Sequence, residues 1–206
     1  MKKGCYIIFE GGEGCGKSTQ AKLLHEYFNE EKIKNILSRE PGGIKEAEQI
    51  RKILLDSKNN LDSITELFLF EAARTEFFKK KVIPNLKRKI NVISDRSCYA
   101  TEAYQGYAGE IKLSLIKKLN NIATQEIKPD LAFIIDVNPR KGLEKELAKD
   151  RFAKKGLIYH TKVNQGYLKI AKQNPQNFIV IPYQEGKINE MQEQIRKHIK
   201  KKLDIL

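Results

Sequence analysis

Five short apolar runs punctuate the chain, at Cys5–Phe9, Asn35–Ser38, Lys89–Ser94, Leu131–Asp136 and Phe178–Ile181. Each is too short for a helix and rich in Ile, Val, Leu or aromatic residues, the signature of buried strands. Between them apolar residues recur at helical spacing. Helices are predicted over Gly16–Glu31, Lys45–Leu55, Ser63–Leu86, Glu110–Ala123, Arg140–Glu146, Ile158–Asn174 and Lys187–Lys202. Strands alternating with helices imply an α/β fold with a parallel sheet. Two polar stretches, Asp56–Asp62 and Lys149–Gly156, follow neither period and read as mobile surface segments. No repeat, low-complexity tract or Pro/Gly/Ser linker interrupts the pattern, so residues 1–206 are expected to form a single domain.

One motif stands between the first strand and the first helix. Gly11-Gly12-Glu13-Gly14-Cys15-Gly16-Lys17-Ser18, followed by Thr19, matches G-x-x-x-x-G-K-[ST] in the strand-to-helix context that it requires. Glycines allow the backbone to turn successive N–H groups inward onto phosphate oxygens, and the positive end of the next helix adds to the field. Lys17 is placed to reach the β- and γ-phosphates, and the Ser18 hydroxyl to ligate Mg²⁺. Nucleoside triphosphate binding follows. An N-K-x-D segment that would read guanine is absent, since Thr161-Lys162-Val163-Asn164 lacks the aspartate.

Composition narrows the partners. Lys and Arg number 39 against 26 Asp and Glu, a net charge of +13. The lysines are dispersed, and the clusters Lys79–Lys81 and Lys200–Lys202 lack interleaved aromatics, so a polynucleotide is not the expected partner, whereas small phosphorylated anions are. Cys5, Cys15 and Cys98 include no CxxC pair and so no metal framework, and their odd number argues against a disulfide scaffold. No apolar stretch approaches a membrane span, and the run after Met1-Lys2-Lys3-Gly4 is too short for a signal peptide. A soluble, cytoplasmic protein is expected, with no membrane partner.

Three further segments make the chain resemble the bacterial thymidylate kinase family: Phe9-Glu10-Gly11 entering the P-loop, Arg39-Glu40-Pro41-Gly42-Gly43 after the second strand, and Asp95-Arg96 followed by Ala103-Tyr104-Gln105-Gly106. Leu69-Phe70-Glu71-Ala72-Ala73-Arg74 resembles that family's LF-x-AAR helix. The resemblance is specific from about residue 5 to 110. It implies a P-loop nucleoside monophosphate kinase fold with a five-stranded parallel sheet and a lid at about 143–156. It also implies a homodimer that uses ATP and Mg²⁺ to convert dTMP to dTDP. It implies that Arg96 touches the acceptor phosphate and the transferring phosphoryl group, and that Arg51 clamps the dTMP phosphate. Phe70 would stack on thymine, Arg74 would donate to its O4, and Thr101 and Gln105 would bond the base or nearby backbone. Tyr104 would crowd the sugar 2′ position, and Glu13 would accept from the 3′-hydroxyl. Asp95 would join Ser18 at the metal, with Asp136 as rival. The resemblance also implies that a cation for phosphoryl transfer comes either from the variable P-loop positions or from the lid; Gly12, Glu13, Gly14 and Cys15 are not cationic, so the lid is expected to supply it. Arg151 in Asp150-Arg151-Phe152 is favoured, Lys149 is the runner-up, and Lys145, Lys154 and Lys155 are the remaining candidates.

The chain departs from that family at Ala100, where serine is common, at Ser97-Cys98-Tyr99, at Ala153 in place of glutamate, and in a shortened lid. Two other readings stay open at this stage: a kinase for a different nucleoside monophosphate or a deoxynucleoside, and a non-catalytic ATP-binding module.

Overall fold

The computed structural model describes residues 4–146 and 150–203. Strands β1 (Tyr6–Glu10), β2 (Asn35–Arg39), β3 (Asn91–Asp95), β4 (Leu131–Asp136) and β5 (Phe178–Pro182) form one five-stranded sheet in the order β2-β3-β1-β4-β5. Every neighbouring pair is parallel. A parallel sheet covered on both faces needs apolar residues at successive positions rather than alternate ones. Tyr6–Phe9 and Leu131–Ile135 are accordingly buried throughout.

Around the sheet lie α1 (Lys17–Glu30), α2 (Lys45–Leu55), α3 (Ser63–Phe77), α4 (Ile83–Lys87), α5 (Cys98–Thr101), α6 (Leu113–Thr124), α7 (Pro139–Lys145), α8 (Gly156–Gln173) and α9 (Ile188–Lys202). On one face Leu24 and Phe28 of α1 and Met191, Ile195 and Ile199 of α9 pack against Ile7, Phe9 and Phe133. On the other, Phe77 of α3 and Val163, Tyr167 and Ile170 of α8 pack against Tyr6, Ile8 and Ile134. The alternation of Tyr6 and Ile8 with Ile7 and Phe9 divides β1 between the two cores. Asp62, within a polar segment, caps α3 by accepting from the N–H groups of Ile64 and Thr65 at 2.9 and 3.0 Å.

Two elements differ from the sequence pattern. The single helix predicted over Ser63–Leu86 is divided: α3 passes through a π turn at Phe78–Val82 into α4. Pro84 is the cause, because it lacks an N–H and its ring crowds the preceding turn, so it is tolerated only at the start of a new helix. The stretch Cys98–Tyr107, which lies outside every predicted element, is α5 running into a second π turn at Glu102–Tyr107.

The chain leaves central β1 for β2 and β3 on one side, then crosses to β4 and β5 on the other. That reversal opens a crevice above the carboxyl ends of the strands, the usual ligand position in open α/β sheets.

Candidate active site

The loop after β1 is shaped by its glycines. Gly11, Gly14 and Gly16 adopt φ of 144°, 61° and 85°, where a side chain is disfavoured. Gly14 also admits α7, since a Cβ there would lie 2.1 Å from Gly142 O. Its N–H donates to Glu146 Oε2 at 3.2 Å. Lys17 Nζ donates to Gly12 O at 3.1 Å and lies 4.0 Å from Glu13 Oε2. Cys15 is fully buried beneath the loop and burial pushes its thiol up, so it serves packing. Thr19 is exposed in the first turn of α1.

Ser18 Oγ donates to Asp95 Oδ2 at 2.5 Å. The register of β1 and β3 produces this contact, because Phe9 is paired with Asp95. Asp95 Oδ1 is buried and has no hydrogen-bond partner. A hydroxyl and a carboxylate with an unused oxygen fit a hard cation such as Mg²⁺. Among the described residues, no cluster of His, Cys, Asp or Glu could hold a metal alone, so ligand phosphates would have to complete the shell. Asp136 sits at the end of β4 with Oδ1 accepting from Asn164 Nδ2 at 3.0 Å, away from Ser18.

Arg96 occupies the centre. Its φ of 69° is left-handed for a residue with a side chain, a strain that persists where surroundings over-determine it. Here its N–H donates to Phe9 O at 2.8 Å and its carbonyl accepts from Ser94 Oγ at 2.8 Å. Arg96 Nη2 donates to Glu13 Oε1 at 2.8 Å and to Tyr104 Oη at 3.1 Å, while Tyr104 Oη donates to the same Glu13 oxygen at 2.5 Å. Arg96 Nη1 reaches Gly11 O at 3.3 Å and Tyr167 Oη at 3.2 Å. Burial pushes the Glu13 carboxyl up, but the charges of Arg96 and Lys17 and the Tyr104 hydroxyl overcome it and hold the group at about 2. Glu13 is therefore an anion inside a phosphate loop, neutralised by its own cations.

A cleft of about 220 Å³ extends from the P-loop between α2, α3 and α5. It brings together Glu13, Lys17, Ser18, Arg51, Phe70, Arg74, Asp95, Arg96, Thr101, Tyr104 and Gln105. Arg51 makes one hydrogen bond, from Nη1 to Pro41 O at 2.9 Å, and burial and nearby Arg39 push its pKa down. Arg74 is 2 % exposed. Its Nε donates to Glu40 Oε2 at 2.7 Å, and Nη1 to Glu71 Oε1 at 2.5 Å and Asn120 Oδ1 at 3.0 Å. Nη2 donates to Thr101 Oγ1 at 2.9 Å and reaches Ser97 O only at 3.5 Å. Arg74 is therefore first an internal hub, with one N–H loosely held. Burial pushes the Glu40 carboxyl up to about 7 against the pull of Arg74, because two carboxylates share one guanidinium in a dry site.

The lid departs from expectation. Arg151 does not line the cleft: its Nη1 pairs with Glu66 Oε1, and its Nε and Nη2 donate to Leu54 O at 3.2 and 3.1 Å. A buried carboxylate and a helix-terminal carbonyl outcompete open cleft for the guanidinium. Lys145 pairs with Glu185 and Tyr183, each at 2.6 Å, beyond β5. Lys155 lies 3.6 Å from Glu66, and Lys154 is exposed. Lys149 lies outside the described residues. Among those described, the cations that line the cleft are Lys17, Arg39, Arg51, Arg74 and Arg96, none from the lid. The lid contributes Phe152 instead, 5 % exposed, with its ring centroid 5.8 Å from that of Phe70.

Several participants carry no clear signal in the sequence. Glu10 accepts from Ser97 Oγ at 2.7 Å and from Tyr167 Oη at 2.9 Å, and so supports Arg96 from below. Glu10 and Glu40 each follow an apolar strand, where a carboxylate is a usable hint. Tyr167 lies on the apolar stripe of α8 and cannot be told from a core residue by pattern. Glu66, on α3, is the same case for a charged residue.

The sequence profile described as "Thymidylate kinase" matches residues 9–195. A thymidylate kinase of Caldanaerobacter subterraneus subsp. tengcongensis is 38% identical over 181 residues, 87% of each chain. One from Geotalea uraniireducens is 40% identical over 193 residues, 89% of this chain and 91% of that one. The crystal structure of thymidylate kinase from Ehrlichia chaffeensis superposes with a TM-score of 0.78 at 35% identity, over 96% of this chain and 99% of that one.

Proposed function

The chain belongs to the thymidylate kinase family, and from that premise we propose that the P-loop holds ATP while the cleft holds dTMP, the γ-phosphoryl passing between them. A dTMP phosphate oxygen attacks the γ-phosphorus, the bond to the β,γ-bridging oxygen breaks, and dTDP and ADP leave. The acceptor is already an anion near neutral pH, so alignment and charge neutralisation matter more than a general base. Lys17 and Arg96 neutralise the transferring group, and Arg51 clamps the acceptor phosphate. Ser18 and Asp95 would hold Mg²⁺ together with phosphate oxygens, and the ion when bound supplies Lewis-acid neutralisation of developing charge.

The observation that supports this reading most is the Glu13–Arg96–Tyr104 cluster beside the phosphate loop, at the mouth of a pocket containing Phe70. A carboxylate there, already neutralised by Arg96 and Lys17, still has an oxygen to receive a ligand hydroxyl. Oε1 already accepts from Arg96 and Tyr104, so Oε2 is the oxygen for the 3′-hydroxyl. Phe70 offers its ring to the base, with Phe152 packed beside it rather than across from it, and the loosely held N–H of Arg74 is the one it offers to O4. The Tyr104 ring crowds the 2′ position. Ile64 and Phe68 of α3, one turn apart, and Leu115 and Ile122 of α6 are exposed apolar side chains that a second copy would cover, in line with a homodimer. Among the described residues no helix is long and apolar enough to cross a membrane, and a cytoplasmic setting suits the substrates.

The test is ADP release coupled to dTMP, with Lys17→Ala as control. Turnover should require both substrates and fall about 10²–10³-fold in the variant. ADP release indifferent to dTMP would remove the reading.

A further inference from the structure

Glu66 does not line the cleft, yet it controls a group that does. It is 2 % exposed, on α3 one turn before Phe70. Its Oε1 pairs with Arg151 and lies 3.6 Å from Lys155 Nζ. Its Oε2 accepts from Gln105 Nε2 at 3.2 Å. Two cations face this carboxylate, and a carboxylate paired with cations offers its neighbours acceptor oxygens. An amide has one donor end and one acceptor end, and Glu66 therefore dictates which end of Gln105 turns away from it. Gln105 is 3 % exposed and lines the cleft, and its Oε1 is buried without a hydrogen-bond partner. An acceptor left unpaired in a protein interior is costly, and one in a ligand pocket is an atom that awaits a donor.

We propose that Glu66 is a positioning residue for base selection: it locks the Gln105 amide with Oε1 presented as an acceptor, so the pocket favours a pyrimidine that carries hydrogen on N3. The proposal rests on the thymidylate reading above and adds the device that enforces it. Thymine offers N3–H to Oε1. Cytosine sets its N3 lone pair against the Gln105 lone pair, leaving both unpaired, the arrangement by which hydrogen-bonding sites discriminate most strongly. A glutamine held by a neutral partner could reverse its amide and accept cytosine. Glu66 forbids that reversal.

The experiment compares kcat/KM for dTMP and dCMP in wild type, Glu66→Gln, Gln105→Ala and the double variant. Glutamine at 66 keeps the shape but can turn either end toward Gln105, so the lock is lost. The dTMP:dCMP ratio should fall at least tenfold in Glu66→Gln, through a raised KM for dTMP with KM for ATP unchanged. The double variant should fall no further than Gln105→Ala. An unchanged ratio in Glu66→Gln or in Gln105→Ala overturns the proposal. So does an equal fall in Arg151→Ala, which would trace the effect to the lid. If Glu66→Gln does not fold, the wild type decides the matter with N3-methyl-dTMP, which lacks the hydrogen and should bind at least tenfold more weakly than dTMP; equal affinity overturns the proposal. A wild type inert toward dTMP but active on another acceptor marks instead the failure of the thymidylate reading, and this proposal falls with it.

Discussion

Arg74 in the acceptor wall and Arg151 in the lid each pair with a buried glutamate, yet the regions around them differ in how much of the chain fixes them. Arg74 gathers Glu40 after β2, Glu71 on its own helix, Thr101 on α5 and Asn120 on α6. Four elements converge on one guanidinium, and moving it would disturb all of them. Arg151 is held by Glu66 and a single carbonyl, Leu54 O, and the short segment around it is anchored besides by turns at Asp150, by Phe152 against Phe70 and Tyr104, and by His160 at Phe152 O. The wall is thus organised before any ligand arrives, whereas the lid rests on contacts that a ligand can exchange. Residue type alone does not separate the two cases. An arginine expected to serve a ligand can be structural first, and only the density of partners reveals which.

The largest effect is expected from Arg74→Ala. It would leave Glu40 and Glu71 buried without their cation, which typically costs about 3–5 kcal/mol, or about 10 °C or more in Tm for a chain of this size. Thermal unfolding with and without dTMP checks it. An unchanged Tm with a large rise in KM for dTMP would show Arg74 to be a ligand group and not a hub.

The same contrast explains what could be read in advance. All five strands fall within about two residues of their predicted bounds, because buried parallel strands are continuous apolar runs with no competing pattern. The P-loop is legible because its residue types serve chemistry at fixed spacing, whereas the Arg96–Tyr104 segment is legible only through the resemblance to a known family. Cys98–Tyr107 was not legible as a helix, since its inward residues Thr101, Glu102, Tyr104 and Gln105 are polar or functional and erase the apolar period. The direction of Arg151 was equally hidden. Its preference for Glu66 depends on a carboxylate 85 positions away, which no local pattern records.

A second effect follows from the crowded carboxylates of the wall. Burial raises Glu40 from its ordinary 4.5 to about 7, so the folded protein holds that proton more tightly than the unfolded chain. The resulting stability is fully present below pH 4.5 and is lost as pH rises through 7, an effect on the order of 1–3 kcal/mol. Urea midpoints between pH 5 and 8 should decline more steeply in wild type than in Glu40→Gln. Parallel declines would place the titration elsewhere.

Tyr104 divides ring from hydroxyl at the boundary between wall and P-loop. Ring bulk alone implies that Tyr104→Phe is silent, but the hydroxyl donates to Glu13 and accepts from Arg96. Loss of a hydrogen bond to a charged group is worth about 1.5–3 kcal/mol, part of which Arg96 retains at Glu13. We expect kcat/KM for dTMP to fall about tenfold in Tyr104→Phe with the deoxy-to-ribo preference intact. Tyr104→Ala should erode that preference as well. A preference unchanged in Tyr104→Ala would separate the tyrosine from the sugar.

The smallest effect is expected at Arg151, and it tests the lid side of the comparison. A lid arginine that neutralised the transferring phosphoryl group would contribute about 10³–10⁵ in rate, as arginine fingers do. Here the guanidinium lies over the Phe152 ring, 4.9 Å from its centroid, and holds the segment against Glu66 and Leu54. Phe152 in turn packs against Phe70 and Tyr104, with ring centroids 5.8 and 6.2 Å apart. Removing Arg151 therefore loosens the packing on Phe70 and Tyr104, one wall of the proposed base pocket, while Lys17 and Arg96 stay in place. Glu66 keeps Lys155 as a counter-charge, which limits the cost to the fold. Arg151→Ala should raise KM for dTMP about fivefold, close to 1 kcal/mol, and leave single-turnover kcat within about a factor of two. The reverse split, a fall in kcat of a hundredfold or more at unchanged KM, would mean that Arg151 leaves Glu66 during turnover and acts at the phosphoryl group. The wall would then be the only fixed half of the site, and the lid a part that supplies charge by moving.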